Sequence, residues 1–340
     1  MSVTRWLNAF GALGVALVLS ATSGCTTAPT HPSLVAAQSA GTLPPLVPVR
    51  RFVANIDAEG GYSISPDGQR LMWEKTVGLD VGLAVRDVAP GGPVTAYASG
   101  NQGRGGGLHT WLADSRYIVY SKDPTGDENT QLLVQDTRSA TLAPWAVSAQ
   151  RGVRSGYAGR GPAGSSTFFF VNNQRDRSTF DLFEADATTR TVREVARSVQ
   201  SWLIGDDRRL AGRVRQLGKD DGADKAVELL QPNGSWKLLH TVGGFDSYWV
   251  SRIDTQAGKA WVTHNMGRDK TALFEVDLAT GTERLLASHD VVDLSYAVYP
   301  AGSGAPMAHV QVPGFPEIKW LNAAWQRDVD AAVQKALAAK

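Results

Sequence analysis

WVTHNMGRDKTALFEVDLATGTERLLA, residues 261 to 287, decides the reading of this chain of 340 residues. Trp261-Val262-Thr263-His264-Asn265 is rich in β-formers, and Gly267-Arg268-Asp269-Lys270 breaks the run. Thr271 to Asp277 then places Ala272, Phe274 and Val276 at every second position. Ala279-Thr280-Gly281-Thr282 turns the chain again before a last strand, Glu283 to Ala287. Period-2 alternation over five to seven residues marks a half-buried strand, and glycine suits a turn position that requires positive φ. The stretch therefore predicts three antiparallel strands joined by tight connections.

Working outward, the same unit recurs from Leu71, Ile118 and Phe168, with a weaker copy from Leu210; the starts are 47, 50, 42 and 51 residues apart. A further short strand precedes each copy, usually with an aromatic: Tyr62, Trp111, Trp202, Trp249 and, before a partial sixth copy, Tyr296. Turns link it to the next strand, among them Ser65-Pro66-Asp67-Gly68, Ala113-Asp114-Ser115-Arg116 and Gln256-Ala257-Gly258-Lys259. Four strands per repeat at this period is the pattern of propeller blades. The expected fold is thus all-β, a β-propeller of four-stranded blades, about five complete and one partial, over residues 50–312. An all-β sandwich with fortuitous spacing does not account for five copies with the same internal order.

The C-terminus departs from the repeat. A sixth half-blade (Val292 to Val298, then Met307 to Val312) is followed by Pro313-Gly314-Phe315-Pro316. From Glu317 to Lys340, apolar residues Ile318, Leu321, Trp325, Val329, Val333 and Leu337 recur three or four apart, which predicts a helix within 313–340. Arg51 to Asp57 could supply one strand to close the sixth blade.

The N-terminus has the layout of an export signal. Arg5 precedes an apolar run from Trp6 to Leu19, and small residues Ser20 to Gly24 lead to Cys25, the single cysteine. An internal disulfide is excluded. Ser23-Gly24-Cys25 resembles the cleavage site of bacterial lipoproteins, with Thr22 departing from the usual aliphatic residue. On that reading residues 1–24 are a signal peptide and Cys25 is the lipidation site. The chain is then an exported, membrane-anchored lipoprotein facing the periplasm or the cell exterior. Ordinary cleavage near Ala21-Thr22-Ser23 is the competing reading. Residues 25–49, rich in Thr, Ala and Pro, are expected to be a flexible linker.

Charge and motifs exclude several chemistries. The net charge is +1 and no Lys/Arg-rich run is present, which argues against nucleic acid. Arg151-Gly152-Val153-Arg154 is locally basic and reads as a solvated inter-blade loop. Gly100 to Gly107 lacks the spacing of a dinucleotide fingerprint and leads into a strand. Asp123 to Asn129 clusters oxygens, but its glycine is misplaced for a calcium loop and no distal glutamate closes it. The six histidines form no close metal pairing. Gly61-Tyr62-Ser63-Ile64-Ser65 and Gly164-Ser165-Ser166-Thr167-Phe168 both lack the second glycine of a nucleophile elbow. No catalytic residue, metal ligand or cofactor is expected.

Four segments carry a resemblance. ISPDGQRLMWE (64–74), WLADSRYIVYSKDPTGDENTQLLVQD (111–136), FFFVNNQRDRSTFDLFEAD (168–186) and NMGRDKTALFEVDLATGTERLL (265–286) resemble, in this order, the propeller of the prolyl oligopeptidase family of serine peptidases, in its bacterial dipeptidyl- and acylaminoacyl-peptidase-like branch. The resemblance runs from about Arg50 to the end. It implies a propeller that restricts peptide access to an α/β-hydrolase domain bearing a Ser-Asp-His triad. The chain is expected to stop before that domain, so no family catalytic residue carries over. The expected function is a non-catalytic, substrate-gating propeller whose partners are peptides and a hydrolase domain. Two alternatives stand beside it: an independent exported TolB-like propeller lipoprotein that binds protein or peptide, and an enzyme whose site no motif reveals.

Overall fold

Ile118-Val119-Tyr120 shows how the architecture follows from the pleat. Successive side chains on a strand leave by opposite faces. Ile118 and Tyr120 join a buried cluster with Met72, Leu83 and Trp111, while Tyr117 and Val119 join Leu132, Phe168 and Phe170. A strand apolar on both faces requires a packed layer on each side. Phe168-Phe169-Phe170 repeats the arrangement one sheet further on, because Phe169 turns the other way, against Leu182 and Trp202. Sheets therefore stack face to face in succession.

The computed structural model describes residues 32–41, 59–77, 80–89, 91–97, 108–139, 141–148, 150–199, 201–219, 222–300, 302 and 304–338. The chain divides into two units, Met1–Ile56 and Asp57–Lys340. In the first, Pro32–Ser39 forms a short helix, α1. The second holds six antiparallel sheets.

Blade 1 comprises β1 (Glu59–Ile64), β2 (Arg70–Val77), β3 (Asp80–Asp87) and β4 (Thr95–Tyr97). Blade 2 comprises β5 (His109–Trp111), β6 (Tyr117–Lys122), β7 (Gln131–Asp136) and β8 (Trp145–Ser148). Blade 3 follows with β9 (Ser155–Arg160), β10 (Thr167–Asn172), β11 (Phe180–Asp186) and β12 (Thr191–Val199). Blade 4 has β13 (Ser201–Ile204), β14 (Leu210–Gln216), β15 (Lys225–Leu230) and β16 (Trp236–Val242). Blade 5 has β17 (Tyr248–Asp254), β18 (Lys259–His264), β19 (Ala272–Asp277) and β20 (Glu283–Ala287). Among the described residues blade 6 has three strands, β21 (Leu294–Val298), β22 (Ala308–Gln311) and β23 (Glu317–Trp320), followed by helix α2 (Ala323–Ala338). Each blade is a simple meander, paired in sequence order. The molecule is an all-β propeller with one C-terminal helix, the fold class expected from the repeats.

The deciding stretch forms the last three strands of blade 5. Val262 pairs with Phe274, and Phe274 pairs with Leu285. Gly281 sits at φ 74°, where Asp277 Oδ1 accepts from the amides of Ala279 and Thr280, each at 3.0 Å. The turn is thus capped by its own aspartate, and glycine absorbs the left-handed backbone.

Two expectations require correction. The helix predicted from Glu317 begins at Ala323, because Glu317–Trp320 pairs with β22, Val310 lying opposite Ile318. Blade strands consequently extend to Trp320, beyond Val312. Within the stretch read as an aperiodic linker, residues 32–39 are helical; Pro32 at the first position and the Ala36-Ala37 pair favour a helix even without an apolar stripe. The suggested closing strand Arg51–Asp57 lies outside the described residues.

Buried clusters sit in the seams between consecutive blades. Blades 4 and 5 share Ala211, Ile253, Val262 and Phe274, and blades 5 and 6 share Trp261, Leu273 and Leu294. At about 25 cal/mol per Å² of apolar area, these seams are the main source of stability.

Candidate functional site

The first strand of each blade is the innermost. β1 touches β5, β9 touches β13, and β13 touches β17, so these strands neighbour one another across blades. They are less buried than the strands behind them. β1 is exposed or half-exposed along its whole length, whereas β6 is buried over its first four residues.

The aromatics that recur on the innermost strands separate into two sets. Trp111 and Trp202 are buried in the seams. Their indole N–H groups donate to backbone carbonyls of the preceding blade, Trp111 to Ser63 at 3.3 Å and Trp202 to Phe180 at 3.0 Å. Tyr62, Trp249 and Tyr296 remain 59%, 71% and 59% exposed. Large rings left in water on inner strands are ready contact surfaces for a ligand.

A cavity of about 760 Å³ opens against β9, β13 and β17 of blades 3, 4 and 5. Its wall includes Tyr157, Phe180, Trp202, Tyr248 and Trp249, and its charged groups are Arg154, Lys225 and Arg252. None of the described residues that line it is an aspartate or glutamate. Arg252 is tied down: its Nε lies 3.5 Å from Asp206 Oδ1, and its guanidinium sits 4.4 Å from the centre of the Tyr299 ring. Burial pushes the Asp206 carboxyl above its ordinary range despite that neighbour. A cavity of this size with aromatic walls and few charges is suited to a short peptide segment or a small organic group.

A second polar cluster lies where blades 4 and 5 meet. Glu283 on β20 stands 3.0 Å from His264 Nε2 and 3.1 Å from His240 Nε2. Burial lowers the His264 pKa, with the Glu283 carboxylate opposing it. His264 is stacked against Phe274, ring centres 4.0 Å apart, and faces Tyr248 at 5.5 Å. The arrangement fixes the His264 imidazole between Glu283 and Phe274 and ties two blades together. Among the described residues, no group of three or more histidine, cysteine or acidic side chains is placed to hold a metal ion.

The motifs weighed in the sequence fall into structural roles. Ser65 Oγ donates to Asp67 Oδ1 at 2.5 Å and accepts from the Arg70 amide at 3.0 Å. Ser165 donates to the Pro162 carbonyl at 2.7 Å, and Ser166 to Asp186 at 2.9 Å. In the loop from Asp123, that carboxylate accepts from the amides of Gly126 and Glu128 at 2.7 and 3.2 Å. These are turn caps. The basic Arg154 is exposed on the inter-blade loop before β9, as read from the sequence, and also lines the cavity. Nothing local in the sequence signals that, because its neighbours come from two further blades. The glycine-rich stretch 100–107 and Cys25 lie outside the described residues. Among the described residues, no helix is long and apolar enough to cross a membrane.

No family model matches the chain. It is 26% identical over 255 residues to dipeptidyl aminopeptidase BIII of Pseudoxanthomonas mexicana, an alignment covering 72% of this chain and 35% of that protein. The chain therefore matches about a third of the length of that relative. Among solved structures, an acylaminoacyl peptidase in complex with Z-Gly-Gly-Phe-chloromethyl ketone superposes with TM-score 0.51 at 12% identity, covering 78% of this chain and 45% of the peptidase. The β-propeller domain of the Trilobed protease from Pyrococcus furiosus gives TM-score 0.48 at 13% identity, covering 78% and 84%. The homology to dipeptidyl aminopeptidase BIII, together with the six-bladed architecture, fits a propeller domain of the prolyl oligopeptidase family.

Proposed function

We propose that this propeller is the substrate-gating domain of a prolyl oligopeptidase-like serine peptidase. Its role is to admit short peptides to a hydrolase domain and exclude larger ones. The observation that carries this reading is the aromatic cavity on the innermost strands of a chain homologous to a dipeptidyl aminopeptidase. The serines singled out as possible nucleophiles cap turns, so the blades select substrate and the bond-breaking serine belongs to the hydrolase.

The test pairs the purified chain with the hydrolase segment of dipeptidyl aminopeptidase BIII, in trans and as a fusion. Activity is measured on dipeptidyl-nitroanilides and on peptides of increasing length. The chain alone is expected to be inactive, and its presence should raise the preference for short over long substrates. Hydrolysis by the isolated chain, or a length preference indifferent to it, overturns the proposal.

The same reading keeps Cys25 as the point of lipid attachment and the chain as an exported, membrane-anchored protein. Wild type is then expected in the membrane fraction of cells and Cys25→Ala in the soluble fraction; identical partition rejects the anchor.

A further inference from the structure

We infer that the cavity between blades 3, 4 and 5 selects acidic peptide segments, with a carboxylate seated at the Arg154–Lys225 rim and an adjacent apolar side chain against Trp249. This rests on the peptide-gating reading above and adds to it a charge class of substrate.

The first observation is charge imbalance. The described lining contains three cations and no acidic residue. Arg252 is engaged by Asp206, and its guanidinium also donates to the carbonyls of Gly304 and Pro300 at 3.3 and 3.4 Å. Arg154 and Lys225 have no ion-pair partner among the described residues; Arg154 meets Asn173 through its backbone, its amide donating to Asn173 Oδ1 and its carbonyl accepting from the Asn173 amide. Two cations with no ion-pair partner among the described residues, beside partly desolvated aromatic walls, favour an incoming carboxylate.

The second observation is placement. Arg154 immediately precedes β9 and Lys225 opens β15. Lys225 pairs with Gln216, the last residue of β14, and β14 runs antiparallel to β13 so that Val214 lies opposite Ser201. Lys225 therefore sits at the end where β13 begins. Arg154, Ser201 and Tyr248 all mark strand starts, and innermost strands in a meander propeller run in a common direction. The two cations thus share one end of the cavity. Arg252, four residues into β17, lies farther along it.

The third observation is the wall. Trp249 is 71% exposed yet lines the cavity. An aromatic of that size contributes contact area for an apolar side chain next to the charged one. Electrostatic complementarity of this kind governs which partners are excluded more than raw affinity. A lysine-bearing peptide meets like charge at the rim and is rejected.

The experiment uses the full chain and three fluorescein-labelled hexapeptides, identical except that two positions flanking a phenylalanine are glutamate, glutamine or lysine. Binding is read by fluorescence anisotropy. The glutamate peptide is expected to bind about tenfold tighter than the glutamine peptide, with the lysine peptide weakest. Raising the salt from about 0.05 to about 0.5 M should shrink the difference, since exposed charges are screened. Arg154→Gln combined with Lys225→Gln should abolish the preference and leave glutamine-peptide binding intact. Arg154→Lys with native Lys225 should retain it, and Trp249→Ala should weaken all three peptides. Equal binding of the three peptides, or a glutamate preference that survives the double substitution, overturns the charge inference and leaves peptide gating standing. Absence of binding by all three overturns both.

Discussion

Arg252 concentrates more inter-blade chemistry than any other single side chain described above. It leaves blade 5, reaches Asp206 in the first turn of blade 4, stacks over Tyr299 after β21, and donates to the carbonyls of Pro300 and Gly304 beyond it. A planar guanidinium has five donors in a fixed fork, so one residue can serve two neighbouring blades. Asp206 depends on it: burial already raises that carboxyl above its usual range, and Arg252 is the largest opposing influence. Truncation would leave a half-buried carboxylate without its nearest counter-ion. Arg252→Ala is therefore expected to cost about 1 to 2 kcal/mol in urea unfolding. Arg252→Lys should lose part of that, keeping the charge without the fork, and Arg252→Ala with Asp206→Asn should recover part of it. A loss below about 0.5 kcal/mol for Arg252→Ala would mean that the seam closes without this residue.

At the scale of elements, the sequence is legible where one blade suffices to explain it. Glu283–Ala287 is read as a strand and is one, and the Gly281 turn has the positive φ its residue type implies. Local alternation and turn chemistry determine those features, and both are written within a few residues. Glu317-Ile318-Lys319-Trp320 shows where that stops. Ile318 and Trp320 fit a strand of period 2, while Ile318, Leu321 and Trp325 fit a helix. Four residues cannot arbitrate between the two periods, and pairing with β22 does so in favour of the strand. The cavity is less legible still. Trp202 and Trp249 occupy corresponding strands and both line the cavity, yet the first is buried in a seam and the second stands exposed. Which way each faces depends on register against the neighbouring blade. Arg154 and Lys225 are 71 residues apart in sequence by their numbers, and only the turn from blade 3 to blade 4 makes them neighbours in one lining.

At the scale of the whole molecule, groups in several blades set how stability responds to acid, and their signs can be worked out one by one. His264 in blade 5 and His309 in blade 6 are buried, and burial holds both below the ordinary value of 6.5. For His309, the Lys319 ammonium across the β22–β23 pair adds to that effect; for His264, Glu283 opposes it while His240 and Arg268 reinforce it. A histidine whose folded pKa is depressed takes up its proton more readily when unfolded. Its contribution is complete above about pH 6.5 and declines as pH falls through the folded value. Asp136, held low chiefly by Arg116, acts further down. So does Glu228, where burial is outweighed by Arg215 and Arg213. Their contributions are present above about pH 4 and are lost as pH falls through the depressed folded values. Asp206 runs the other way: its raised folded pKa favours the fold below about pH 4, and that advantage is lost as pH rises through the folded value. The urea midpoint is thus expected to fall first between pH 7 and pH 5, and again near and below pH 4. Each histidine contributes at most about 1.4 kcal/mol per pH unit in the first window. His309→Gln removes one titrating group without touching the Glu283 cluster, so it should flatten the first decline and leave the second in place. A midpoint that is level or rising from pH 7 to pH 5 in the wild type, or an unchanged slope in His309→Gln, would show that the buried histidines do not govern that limb.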